Sequence, residues 1–411
     1  MTAPAKQASD FSTWQLLPFY LGGLSGPMGG GVVPVLFAVL MGAFGVDRSV
    51  LSLAVPAYML PYAVVQLVSG GISDLTSRRT SLIIGFGGFG IATVLAGLAP
   101  NFQIFLLINV VQGTMNAFTS PLLMATLGDI VPAPRMSRTM GFLNTANLSG
   151  TMLAPLLGGL LGDVTWRLPY LVFGLSNFLL LAWIMLWFQR HGRAVPSGHR
   201  GKSLRADLRA MAAALGVQMV LLALLSFIAS NAIRGPNYLF ADYLGEQWGL
   251  SVASAGLILA TYGLAGVLFG PFSGYLIERF GVFRGVASSM IGVALSLIIM
   301  GLAPTWPVYV IGNFLLGATS IVAWTGLATL AVNLAPSHRG TASSLFGSAR
   351  FLALAVCPLW FTPLYQSVAM TAIFYASATF AIALLVPLTV LSLRGRREGM
   401  SLAATQRAQS S

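Results

Sequence analysis

Gly70-Gly71-Ile72-Ser73-Asp74-Leu75-Thr76-Ser77-Arg78-Arg79 lies between two long apolar runs and carries the first dense cluster of charge in the chain. A second stretch repeats its plan 204 residues later: Gly274-Tyr275-Leu276-Ile277-Glu278-Arg279-Phe280-Gly281-Val282-Phe283-Arg284. Gly70 falls on Gly274 and Asp74 on Glu278, so in each copy a glycine precedes an acid by four residues and basic residues follow. Two similar halves, each turning at the same membrane face, are the expectation.

Composition agrees. The chain is 56% hydrophobic and 8% charged, where soluble domains carry about 25% charged residues. Ten acids and 22 Lys and Arg cannot clothe a 411-residue soluble globule. Apolar runs of about 20 residues recur throughout, the length that crosses a hydrocarbon core of about 30 Å. The expected fold is an all-α polytopic membrane protein with twelve spans, near 14–43, 49–72, 80–99, 102–126, 139–162, 168–188, 211–240, 251–277, 285–303, 306–332, 341–365 and 369–393. The first run is too long for the apolar core of a signal peptide and reads as a span. The longest polar stretch, Gln189 to Arg209, divides six spans from six. The expected domains are therefore a bundle over 1–188, a linker over 189–210, a second bundle over 211–393 and a tail over 394–411.

Charge gives the topology. Eighteen of the 22 basic residues fall in the termini, the linker and the loops on one side, against Arg48 and Arg167 on the other. Positive charge stays cytoplasmic, which places both termini and the linker inside and makes this a multi-pass plasma-membrane protein. The net charge of +12 is thus a topology bias and not a nucleic-acid signal. The single cysteine, Cys357, excludes an internal disulfide and a cysteine metal cluster. His191, His199 and His338 all fall in loops, and no phosphate-binding Gly-rich Lys-Ser/Thr motif occurs. No enzyme chemistry, metal or cofactor is expected.

The repeat holds its register without a gap. Gly45-Val46 falls on Gly249-Leu250, Gly97-Leu98-Ala99-Pro100 on Gly301-Leu302-Ala303-Pro304, and Asn109 and Gly113 on Asn313 and Gly317. A six-helix unit duplicated in parallel is the plan of a large class of transporters that bind substrate near the midplane between the halves.

On these residues the chain resembles the major facilitator superfamily, and within it the twelve-helix drug/proton antiporter-like exporters. The family's loop motif is matched by Gly70, Asp74, Arg78 and Arg79, with Leu75 and Ser77 departing from it; the second copy keeps Gly274, Arg279 and Gly281 and has Glu278 for the aspartate. Span five carries the antiporter signature as Gly141, Gly150, Ala154-Pro155 and Gly158-Gly159, only Ala154 departing, and Trp166-Arg167 follows. Gly150, Pro155, Gly158 and Gly159 form either a hinge or a plain packing face, since small residues let membrane helices approach closely and proline bends a helix. The resemblance implies export and a substrate cavity between spans one, four, seven and ten. Span four departs: Asn109 stands where the exporters usually carry an arginine four residues before a glycine. No acid falls at mid-span by these boundaries, so the coupling proton, or another ion, is left open.

Candidate cavity residues are the polar ones inside spans, because burying them in lipid is costly. Ser230, Arg234 and Asn237 share a face of span seven, with Asn231 beside them and Gly235-Pro236 breaking the helix. Arg234 either faces substrate or snorkels outward and pairs with Asp242. Asn109, Gln112 and Asn116 stripe span four, where cavity lining and helix–helix hydrogen bonding are even alternatives. Span ten adds Asn313 and Trp324. Arg350 in span eleven reaches the cavity or pairs with Asp129 or Glu278. The acids and bases at the inner loops, Asp74, Arg78, Arg79, Asp129, Arg135, Arg138, Glu278 and Arg279, together with Gly70 and Gly274, are the expected gate. The function expected is a monomeric secondary active exporter of a small amphipathic or organic-anion substrate, working by alternating access with antiport. An importer or uniporter of an organic anion, and a non-transporting receptor or scaffold, are the alternatives.

Overall fold

The computed structural model describes residues 11–75, 77–191, 216–334 and 339–393, and among these the regular secondary structure is helical. The expected linker over 189–210 and the tail from 394 lie almost wholly outside the described residues. The helices make twelve passes in two bundles. Nine helical runs among the described residues are long and apolar enough to cross a membrane. The other three passes differ for local reasons. Span one is cut into Leu17–Gly30, Val32–Val35 and Phe37–Phe44, as its glycines and Pro27 dictate. Span four is cut into Phe102–Asn116 and Ser120–Ile130. Span five, Ala133–Gly162, is continuous but rich in Asn, Thr, Ser and Gly.

Span seven corrects its expected end. The helix Val217–Ile233 gives way to a 3-10 turn, Gly235–Leu239, at Gly235-Pro236, and then resumes as Phe240–Trp248. Pro236 sits in the first turn of the new segment, where its missing N–H is tolerated. The pass therefore runs to Trp248 and not to 240, and Asp242 and Glu246 become helical residues instead of loop acids. Gly249 closes it with φ +63°, as Gly45 closes span one with φ +61°; both positions need the left-handed conformation that glycine adopts freely.

The sequence repeat is also a repeat of contacts. Phe105 meets Tyr170 edge-on at 5.8 Å, and their counterparts Tyr309 and Phe374 meet at 6.1 Å. Asn116 Nδ2 donates to the Tyr58 hydroxyl at 2.7 Å, and Ser320 Oγ donates to the Tyr262 hydroxyl at 2.9 Å. Each pair is offset by the same 204 residues.

Two seams join the bundles. Spans five and eight meet backbone to backbone: a Cβ on Gly159 would lie 2.6 Å from the Val252 carbonyl oxygen and 2.9 Å from Gly256 Cα. Spans two and eleven meet through Ser348 Oγ, which donates to the Ala63 carbonyl at 2.8 Å, and through Tyr62 and Phe351, whose rings are 4.1 Å apart. Away from the seams the surface is apolar. Leu179, Leu359 and Val386 are exposed by 75%, 71% and 68%, which suits lipid and not water.

Candidate substrate site

Two small cavities lie between the bundles, and both are lined by Pro34, Arg234 and Asn237. The first, of about 50 Å³, adds Gly30, Tyr58, Asn109, Tyr238 and Cys357. The second, of about 30 Å³, adds Thr151, Pro155 and Tyr262. The first belongs chiefly to spans one, two, seven and eleven, and the second to spans seven, eight, one and five, so the repeat exchanges one for the other. A water needs roughly 10–15 Å³ of such space, and ligand pockets run to about 300 Å³ or more. The halves are therefore drawn together here, and neither cavity has room for a ligand of ordinary size. Neither lining contains a carboxylate.

Arg234 reaches this place because the helix Val217–Ile233 ends one residue before it, with the Arg234 amide bonded to Ser230 O at 2.9 Å. Its guanidinium lies 5.4 Å from the centroid of the Tyr262 ring, a cation–π distance. The 3-10 turn then carries Asn237 to the same wall. The alternative pairing of Arg234 with Asp242 does not occur, because Asp242 is held by Arg48. The repeat places Gly30 and Val33 opposite Arg234 and Asn237, and both also line the first cavity.

Arg350 lies on span eleven one turn before Leu354, which lines the first cavity. Its guanidinium stacks 4.3 Å from the Trp324 ring and 5.6 Å from the Phe351 ring. Among the described residues, Arg350 Nε and Trp324 Nε1 are buried without a hydrogen-bond partner. The expected pairings with Asp129 and Glu278 are not formed: Asp129 takes the Arg78 Nε at 2.9 Å, and Glu278 is exposed. Arg350 and Arg234 sit near enough to repel one another electrostatically. Two cations face the interior with no described acid between them.

The amide stripes divide. Asn109 lines the first cavity while donating to Phe105 O at 2.7 Å. Gln112 donates to Thr93 Oγ1 at 2.9 Å, Asn116 to Tyr58, and Asn313 to Ile258 O and Thr261 Oγ1 at 3.0 and 2.9 Å. These bonds tie neighbouring helices within each half. Ser230 and Asn231 bond back to their own helix, and Asn231 Oδ1 is buried without a partner among the described residues.

Several residues of the expected inner gate have described partners. Arg78 pairs with Asp129, Arg135 Nη1 donates to Phe11 O at 3.2 Å, Arg138 lies 5.6 Å from the Phe142 ring, and Arg279 donates to the Tyr275 hydroxyl at 2.9 Å. Arg79 is exposed, and a Cβ on Gly274 would meet nothing within 4 Å. Gly70 and Asp74 belong to the helix Ala54–Leu75, and the Asp74 side chain lies outside the described residues. In span five, Gly150 packs on the Leu24 backbone, Gly158 on Val35 and Gly159 on Gly256, so the stripe is a contact face to both span one and span eight.

A latch on the opposite side escaped the sequence. Asp47 caps the short helix Arg48–Ser52, accepting the Val50 amide at 2.8 Å, and this presents Arg48 across the interface. Arg48 Nε meets Asp242 Oδ2 at 2.7 Å and its Nη2 meets Glu246 Oε1 at 2.5 Å. Tyr365 donates to Glu246 Oε2 at 2.5 Å and lies under the Arg48 guanidinium, 4.4 Å away. Ser49 donates to Gln366 at 3.0 Å. The ion pairs found between the halves among the described residues are these two. Their signal in the sequence was present: one of the two arginines in the loops of that side, and two acids four residues apart.

The family model described as Major Facilitator Superfamily matches residues 19–241 and 222–409. An uncharacterized MFS-type transporter, YceJ of Bacillus subtilis (strain 168), is 27% identical over 332 residues, 81% of this chain and 84% of that protein. Multidrug resistance protein MdtG of Citrobacter koseri is 27% identical over 312 residues, 75% of this chain and 76% of its own. Among solved structures, a bacterial homolog of the human lysosomal transporter Spinster, inward-facing and unoccupied, has a TM-score of 0.70 at 16% identity, covering 92% of this chain and 95% of its own. A D-xylose–proton symporter has a TM-score of 0.71 at 17% identity, covering 91% and 96%. These likenesses are to transporters and not to enzymes, and with the model match over nearly the whole length they establish that the chain belongs to the Major Facilitator Superfamily.

Proposed function

We propose that this transporter exports a small amphipathic organic anion by alternating access, in antiport, as a monomer in the plasma membrane with both termini cytoplasmic. The observation that carries the reading is Arg234 with Asn237 on the shared wall of both cavities, in a lining without a carboxylate. A guanidinium there favours a carboxylate, sulfonate or phosphate group by charge-assisted hydrogen bonds. The apolar walls, with Tyr58, Tyr262 and Tyr238, suit the rest of an amphipathic molecule. Arg350, stacked on Trp324, offers a second cationic station on the inner side. The relation to MdtG proteins, named for multidrug resistance, favours the outward direction. The positive-charge bias of the loops supports the orientation.

Purified protein in liposomes tests this directly. Efflux of aromatic carboxylates and sulfonates should fall about tenfold or more in Arg234→Ala, the size of a lost charged hydrogen bond, with Arg234→Lys retaining part of it. An imposed proton gradient should accelerate wild-type efflux. Anion flux unaffected by Arg234→Ala would remove the basis of the substrate reading, and flux indifferent to the proton gradient would assign the antiport to another coupling ion or replace it with facilitated diffusion.

A further inference from the structure

Spans one and five touch along a seam, and the cavity is on one side of it only. Span five shows Gly150 and Ala154 to span one, Met152 and Gly159 to span eight, and Thr151 to the second cavity. On the opposite face of the same helix, by helical periodicity, lie Phe142, Ala146, Ser149 and Leu153. With Leu17, Leu21 and Leu24 of span one these line an open groove of about 640 Å³. The groove therefore faces lipid.

Its inner end is not apolar. There it runs into a smaller pocket, with Thr13, Tyr20, Arg138 and Phe142 common to both. Arg138 is exposed, steadied by the Phe142 ring at 5.6 Å, and forms no ion pair among the described residues. Arg135, one turn earlier on the same face, lines the smaller pocket and donates to Phe11 O. Trp14, 81% exposed, stands at the mouth, in the manner of tryptophans at a membrane–water boundary.

We propose that this groove binds an anionic phospholipid. Its phosphate sits on Arg138 and Arg135, and one acyl chain lies between spans one and five. The exposed Arg138 guanidinium binds phosphate, Arg135 adds positive charge one turn away, and neither lining holds a described carboxylate that could receive a choline ammonium; at the head of an apolar channel open to the bilayer, this net positive charge selects an anionic lipid over a zwitterionic one. The assignment to the cytoplasmic leaflet rests on the topology proposed above; the choice of an anionic headgroup does not. The lipid would brace the inner ends of the two helices of which one, span five, also forms the seam with span eight.

Trp14 supplies the reporter. The full chain is placed in phosphatidylcholine vesicles doped with brominated phosphatidylglycerol or with brominated phosphatidylcholine of the same chains. The quenching lost in Trp14→Phe is the Trp14 component. That component should be quenched more by phosphatidylglycerol, and Arg138→Gln should lower the preference about fivefold, the weight of one basic residue near an anionic surface. Arg138→Lys should keep most of it, and Ser149→Phe, which fills the groove, should reduce quenching by both lipids. Equal quenching by the two lipids in the wild type, or a preference that survives Arg138→Gln, overturns the proposal. Neither result bears on Arg234, whose flux assay stands apart.

Discussion

Removing Arg48 should open the side of the protein that it closes. Asp242 is 2% exposed and Glu246 53%, with Arg48 itself at 18%. The two halves of the latch therefore differ in weight. An exposed pair such as Arg48–Glu246 contributes about 1 kcal/mol or less. Deleting the partner of a buried charge such as Asp242 costs about 3–5 kcal/mol, because the carboxylate stays behind unpaired. That cost applies only while the halves are closed on this side; once they part, water reaches Asp242. Arg48→Ala should thus shift the equilibrium toward the open form by about 3 kcal/mol, a factor of roughly 150 at 1.36 kcal/mol per decade. Asp242→Asn keeps a hydrogen-bonding group and leaves no buried charge, so it should shift the equilibrium by about 1 kcal/mol. The double variant Arg48→Ala/Asp242→Asn should open less than Arg48→Ala alone. Spin labels on Val164→Cys and Leu302→Cys, exposed on the same side in opposite halves, report the separation in a background where the buried Cys357 is replaced by Ser. An unchanged distance distribution in Arg48→Ala, or a double variant more open than the single, would refute the reasoning.

Two other outcomes follow from the packing. Gly159→Val pushes a side chain into the Val252 carbonyl and Gly256 Cα; it should cost about 1–3 kcal/mol, read as a lowered Tm in detergent, and should slow transport, whereas Gly141→Ala, with nothing within 4 Å, should do neither. Tyr58→Phe strips a buried hydrogen bond from Asn116 and Tyr262→Phe a half-buried one from Ser320; each should lower stability by about 1–2 kcal/mol, the buried one by the larger amount, as thermal unfolding of the two variants would show.

The duplication was legible because register survives in glycines and prolines whose backbone role does not depend on neighbours. Gly45 and Gly249 carry the same positive φ for the same reason. Span ends were less legible at span seven. Gly235-Pro236 reads as a stop, and only the 3-10 turn shows that the helix resumes and takes Asp242 with it. The polar stripes were legible as faces but not as partners. Periodicity says that Gln112 and Asn313 point inward; it does not say that Thr93 and Thr261 meet them. The latch was hidden for the same reason, since Arg48 and Asp242 are 194 residues apart and no local pattern couples them.

Gly30 and Arg234 occupy equivalent positions and both line the first cavity. Duplication gives two walls of one shape; Arg234 against Gly30 and Asn237 against Val33 give them opposite characters. Under the proposed function, a guest with a charged end and a greasy end would lie head against span seven and tail toward span one, and rocking of the bundles would carry the head with one of them while the tail slides over the other. The cage is symmetric in its backbone and directional in its chemistry, and one of the two ancestral copies has become the handle while the other has become the floor.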